Sequence, residues 1–278
     1  MQSCFTYSNP LCAAVGLAAD GLSSANVVGY ISATIPGSGN KTFAVTLTDC
    51  ANPGAPVRVD KLFTSDDFFG SGFDSADQIW RWDTTANGWA KYFYEKNGRG
   101  AEATYAWKKW DYAEQKVLDI TDADAVAPGE TFLFRRMGNA PITLTLSGQV
   151  SEFTATSAYS IPGSGNIFMA YPWPVEVKLA DLQNLVTPET YAAFYGSGFD
   201  SADQIWRWDT TANGWAKYFY EKNGRGAAAT YAWKKWNYAE GKVEDLTDAD
   251  KLAPGEGFLF RRMGNATLTF TWKALEQK

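Results

Sequence analysis

The stretch "GSGFDSADQIWRWDTTANGWAKYFYEKNGRGA" occupies residues 70–101 and recurs unchanged at residues 196–227. The same offset brings "IPGSGN" at 35–40 onto 161–166, and "APGETFLFRRMGNA" at 127–140 onto "APGEGFLFRRMGNA" at 253–266. No gap is needed. Across positions 70 to 140, 63 of 71 residues are identical to their counterparts, whereas 41–69 and 167–195 scarcely agree. A period of this length is the duplication of a whole folding unit, not a solenoid of short units. Boundaries are expected near 24–150 and 151–278, after an N-terminal arm or leader-like segment, 1–23. Divergence confined to one part of each repeat has two readings. Either recombination copied one segment over the other, or the variable segments face different neighbours.

Each repeat reads as β-structure. "QIWRWD", "WAKYFY", "ATYAWKKW", "TFLFRR" and "ITLTLSG" are short aromatic or β-branched runs separated by turn residues. Asn87-Gly88, Asn97-Gly98 and Pro128-Gly129 supply the turns, because Asn and Gly tolerate positive φ and Pro presets its own. In "ITLTL", Ile142, Leu144 and Leu146 should face the core, with Thr143 and Thr145 outward. The expected class is all-β: two tandem homologous β-sandwich or barrel-like domains with short helical insertions. "LADLQNLVTPETYAAF" at 179–194 is the good helix candidate, and "TDADAVAP" offers one turn.

Composition narrows the function. Hydrophobic residues at 45% and aromatics at 15% exclude a disordered chain. A net charge of −6 argues against a nucleic-acid partner, since phosphate binding needs clustered cations. No apolar run is long enough for a helical membrane span. The chain contains no histidine, which removes the commonest general base, triad partner and transition-metal ligand, so an enzyme is not expected. Cys4, Cys12 and Cys50 are an odd number without C-x-x-C spacing. They are consistent with a small loop bridge, a bond to a neighbouring chain, or plain thiols.

The order "SANVVGY", "TIPGSGN", "DQIWRWD", "YFY", "APGEGFLFRR" and "TLTF" resembles a family of secreted bacterial β-proteins without a characterised activity. The resemblance covers nearly all of 24–278, once per repeat. It implies export and an extracellular or cell-surface location, and it assigns no chemistry. This chain departs from the family in carrying 23 residues before "SANVVGY".

Two surfaces are candidates for function. Trp80, Trp82 and Trp89 recur as Trp206, Trp208 and Trp215, and period-2 geometry puts Trp80 and Trp82 on one strand face. Exposed, they would stack on glycans; buried, they would be core and cross-strand pairs, which is the reading preferred for most of them. The second candidate is an inter-subunit arm with Cys4, Cys12, Val27, Val28 and Tyr30, able to add a strand to the next subunit. Asp74, Asp77, Asp83, Asp119, Asp122, Asp124 and Glu130 would suffice for calcium or for an acid pair. None has EF-hand spacing, and no cofactor or metal is expected. Asp122 and Asp124 are expected to cap a turn and Asp74 to serve the Gly-rich turn around it, while Arg135 and Arg136, repeated as Arg261 and Arg262, are expected to form a solvated strand end, with pairing to carboxylates across a domain interface as the alternative. The expected function is that of a secreted, non-enzymatic structural protein self-assembling into an extracellular filament, fibre or surface layer. The alternative is a bivalent carbohydrate-binding surface protein.

Overall fold

The alternation in "ITLTLSGQV" is realised in a strand whose residues are buried at every second position. The structure, a computed structural model, describes residues 28–48, 55–62, 67–83, 86, 88–150 and 158–273. In the first repeat the strands are β1 (Val28–Ile35), β2 (Asn40–Ala44), β3 (Leu47–Thr48), β4 (Val57–Arg58), β5 (Gln78–Asp83) and β6 (Gly88–Asn97). They continue with β7 (Thr104–Asp111), β8 (Lys116–Asp119), β9 (Ala125–Val126), β10 (Thr131–Arg135) and β11 (Ile142–Val150). A short helix, α1 (Val59–Leu62), follows β4.

These strands form a sheet of order β1-β11-β3, a six-stranded sheet of order β2-β10-β5-β6-β7-β8 and a small β4-β9 pair. Every pairing is antiparallel. On one face of β1 and β11, hydroxyl pairs Ser32–Thr145 and Thr34–Thr143 meet at 3.2 Å. The opposite face sends Ile31, Ile35, Ile142, Leu144 and Leu146 into a cluster shared with Phe43, Ile79, Tyr92, Phe132 and Phe134 of the six-stranded sheet. Two sheets thus enclose one apolar layer, which is how an antiparallel sheet with one wet face is stabilised.

The second repeat contains β12 (Ala158–Ile161), β13 (Asn166–Ala170), β14 (Val177–Lys178), β15 (Gln204–Asp209), β16 (Gly214–Asn223) and β17 (Thr230–Asn237). It ends with β18 (Lys242–Asp245), β19 (Lys251–Leu252), β20 (Gly257–Arg261) and β21 (Leu268–Thr271). Its six-stranded sheet has the equivalent order, β13-β20-β15-β16-β17-β18, and β12 pairs with β21. Its buried residues form a second apolar cluster, from Ile161 to Trp272.

The variable segments diverge in structure as well. Where β3 extends the first repeat's sheet, the second has Val186 bridged to Trp272 and Thr187 N–H donating to the Thr271 carbonyl at 3.0 Å. This interrupts the helix expected over 179–194. A 3-10 turn (Leu179–Asp181) and α2 (Leu182–Leu185) precede the extended Val186, and α3 (Pro188–Ala193) follows it. A residue before proline is disfavoured in helical conformation, so Thr187 is extended and caps α3 through its hydroxyl. The turn expected in "TDADAVAP" is a 3-10 turn, Asp122–Asp124, closed by a capping box between Thr121 and Asp124.

Arg136 and Arg262 correct an expectation. They are not solvated strand ends but buried partners of Asp77 and Asp203 within their own repeats, 6% and 0% exposed in each pair. Asp77 also accepts from the backbone N–H groups of Phe69 at 2.9 Å and Met137 at 2.8 Å, and Arg136 donates to the Ala140 carbonyl at 2.9 Å. A buried charge persists when both partners are fully hydrogen-bonded, and this pair ties the entry to β5 to the turn after β10.

Candidate functional site

The faces of the six-stranded sheets that point away from the two apolar clusters carry Trp80, Trp82 and Trp89 and their counterparts Trp206, Trp208 and Trp215, whereas Trp107 and Trp233 lie inside the clusters. Trp80 donates from Nε1 to Gln78 Oε1 at 2.7 Å. Lys91 Nζ lies 4.0 Å from the Trp80 ring centre, and the Arg135 guanidinium lies 5.7 Å from it. Trp206 is held in the same way by Gln204, Lys217 and Arg261. These indoles are half-buried and engaged by cations, which favours packing over an open stacking platform.

Trp82 and Trp208 stand edge-on to Trp89 and Trp215, with ring centres 5.2 and 4.9 Å apart. Their Nε1 atoms are buried and make no hydrogen bond among the described residues, so they offer no handle to a ligand in solution. Trp89 and Trp215 then converge on one residue. Phe168 of β13, 4% exposed, lies 4.9 Å from Trp89 and 6.0 Å from Trp215 between ring centres. The two tryptophan groups therefore meet at a seam between the repeats.

The rest of the seam is built from backbone. Ala44 N–H donates to the Gly255 carbonyl at 2.8 Å, the Tyr159 hydroxyl donates to the Gly129 carbonyl at 3.2 Å, and Glu130 is bridged to Met169. Thr131 and Gly257 hold the same position in their repeats and face each other here. Phe168 has Thr42 as its counterpart, buried at 1% exposure. Like surfaces have become unlike where they touch.

Of the arm residues, Cys4, Cys12 and Val27 lie outside the described residues, as does Cys50. Val28 and Tyr30 belong to β1, which pairs along its whole length with β11 of its own chain. They form an edge strand and not a free donor arm, because β11 already takes up that side of the backbone. Tyr30 is 76% exposed.

The carboxylates are dispersed into structural work. Asp83 accepts from Ala86 N–H at 3.0 Å in the β5–β6 turn, Asp119 pairs with Lys108, Asp122 with Arg58, and Glu130 with Arg81. Asp74 is exposed, while Asp77 takes the buried role beside the Gly-rich turn. Asp124 accepts from the Tyr92 hydroxyl at 3.1 Å, Lys109 Nζ at 2.7 Å and Thr121 N–H at 3.0 Å. Burial pushes the Asp124 carboxyl up, but Lys109 and Thr121 outweigh it and hold it below its ordinary range. Burial, with the Asp124 charge, raises the Tyr92 phenol well above its usual value. Asp250 and Tyr218 repeat the arrangement. Among the described residues, no three metal-ligating side chains converge.

One feature escaped the sequence reading. Asp111 of the first repeat accepts from Ala113 and Glu114 N–H at 2.9 and 3.2 Å, and Leu118 follows in β8. In the second repeat Asn237 makes the same two bonds, and its Nδ2 also donates to Glu244 at 2.8 Å. Two of the few differences in the conserved half are thus coupled. With Trp215, Trp236, Tyr238 and Asp209 they line a cleft of about 350 Å³. The signal was in the sequence: an acid-to-amide and a Leu-to-Glu change, seven residues apart in both repeats, in otherwise near-identical stretches. No protein-family model, no curated protein and no solved structure matches this chain.

Proposed function

We propose that this chain is a non-enzymatic structural protein, exported from the cell, that assembles with copies of itself into an extracellular filament, fibre or surface layer. The observation that carries the reading is the pair of sheet edges. Each six-stranded sheet ends in a short strand, β8 or β18, whose outer side has no paired strand among the described residues. An unpaired edge is a template for another strand. Val117 and Val243, each 41% exposed, sit in these edges.

The edges read "KVLD" and "KVED". Antiparallel pairing of β8 with β18 sets Lys116 opposite Asp245 and Asp119 opposite Lys242, whereas parallel pairing sets like charges together. One such short edge strand per repeat, β8 and β18, makes each molecule bivalent, and contacts that do not close on themselves propagate. The test is electron microscopy with light scattering on concentrated full-length protein. Filaments or sheets are expected, and they should be lost in the Asp119→Lys, Asp245→Lys variant while the β circular-dichroism signal is retained. Monomers at every concentration would overturn the reading.

A further inference from the structure

We infer that the seam face of the first repeat also takes the second repeat of another copy of this chain, so that two chains can close both seams by exchanging repeats. The seam has the form of a two-fold interface. β2 lies against β15 and β20, and in return β13 lies against β5 and β10. The turn at Gly129 meets Tyr159 of β12, and the turn at Gly255 meets Ile31 of β1. Each repeat thus offers the same elements to the other, as the subunits of a symmetric dimer do.

At the approximate axis, between β10 and β20, each position faces its own counterpart. Thr131 faces Gly257 there. Two first-repeat faces would bring threonine onto threonine, so a first repeat selects a second repeat and not a copy of itself. Nothing in that selection depends on the two belonging to one chain.

The seam can part without opening either core, because the apolar cluster of each repeat contains residues of that repeat alone. Buried atoms on the seam-facing sides of the sheets lower the cost of parting. Thr42 Oγ1, Thr131 Oγ1 and the Nε1 atoms of Trp82 and Trp208 have no hydrogen-bond partner among the described residues, and separation gives them water. Seven residues, 151–157, join β11 to β12. A connection that short holds the repeats at an effective concentration on the order of millimolar, so closure within the chain prevails in dilute solution and exchange in concentrated solution. An exchanged dimer contains the same two seams, and its cost is the entropy of association.

The experiment uses two full-length variants, Gly257→Thr and Thr131→Gly, each also carrying Asp119→Lys and Asp245→Lys so that the outcome is independent of the edge pairing proposed above. Within one Gly257→Thr chain the seam clashes. Exchange between the two variants gives two seams that each pair one threonine with one glycine. Equal amounts, one variant labelled with heavy nitrogen, are refolded together at about 1 mM and read by native mass spectrometry. Mixed dimers at twice the 30.6 kDa chain mass should exceed dimers of the Gly257→Thr chain about tenfold or more, since the latter keep two clashes. They should persist on dilution, because separation requires both seams to open. Chains with the two edge substitutions alone, labelled and unlabelled, should also give mixed dimers, which keeps the test decisive where Gly257→Thr does not fold. Monomers alone from those chains, or mixed and unmixed dimers of the two seam variants in random proportion, would overturn the proposal.

Discussion

Thr131 and Gly257 occupy the same position in the two repeats and are pressed against each other across the seam. A β-carbon on Gly257 would lie 1.9 Å from Thr131 Cγ2. Two identical copies of "APGETFLF" could not close this contact, so the single difference in that motif is what lets the repeats pack.

Gly257→Thr should therefore destabilise the protein by about 1–3 kcal/mol or more, as overpacking does in a close-fitted interior. The reciprocal variant Thr131→Gly, Gly257→Thr moves the methyl group to the other side of the seam and should recover most of the loss. Thermal unfolding of the three proteins measures both effects. Equal stability of the single variant and the parent would show that the seam is not a tight contact.

Phe168→Ala removes the ring on which Trp89 and Trp215 converge. Emptying so buried an aromatic site should cost about 3–5 kcal/mol. The change should also alter tryptophan fluorescence, since two indoles lose their shared neighbour. Denaturant titration followed by fluorescence reads both, and an unchanged midpoint would count against the packing described.

Breaking one partner of the buried Asp77–Arg136 pair leaves an uncompensated charge. Arg136→Met should cost about 3–5 kcal/mol, and Asp77→Leu combined with Arg136→Met should be milder than the single change. Asp203 and Arg262 predict the same pattern in the second repeat. Chemical denaturation of the single and double variants checks the ordering, and a double variant worse than either single would contradict it.

The Asp124 and Asp250 carboxyls sit below the ordinary carboxylate value of 3.8, so their contribution is present above about pH 4 and is lost as the pH falls through the folded value. Tyr92 and Tyr218 run in the opposite sense. Their phenols are raised above 10.0, so their contribution is present below that pH and is lost as the pH rises beyond it. Unfolding midpoints measured from about pH 2 to pH 11 should fall at both ends. Tyr92→Phe with Tyr218→Phe should flatten the alkaline limb, and soften the acid limb to a smaller degree because each phenol also donates to its carboxylate. An alkaline limb unchanged by that pair would assign it to other groups.

The strands were legible because alternation and turn residues act locally: β5, β6, β7, β10 and β11 lie where "QIWRWD", "WAKYFY", "ATYAWKKW", "TFLFRR" and "ITLTLSG" put them. The Asn-Gly turns follow suit, with Asn213 at φ 48° and Gly98 at φ 93°. The buried ion pair was legible in principle. Arg136 is in phase with Phe132 and Phe134, and Asp77 with Ile79, so each charge falls in a row of core positions. The expected long helix was overrun by a tertiary contact, because Val186 and Thr187 were taken by Trp272 and Thr271 as an extended segment.

Duplication, strand order along the chain and the all-β class follow from the amino-acid sequence alone, since they depend on which neighbours a residue has within a few positions. Which faces meet does not. Alternation assigns Trp80, Trp82 and Trp89 to one side of a sheet, and only the tertiary structure decides that this side looks across a seam at Phe168 or carries a lysine over its ring. The same holds for Thr131 and Gly257, whose difference is silent in either strand and becomes necessary when the strands touch. Side-chain direction is a property of one strand; contact is a property of two, brought together by the burial of both.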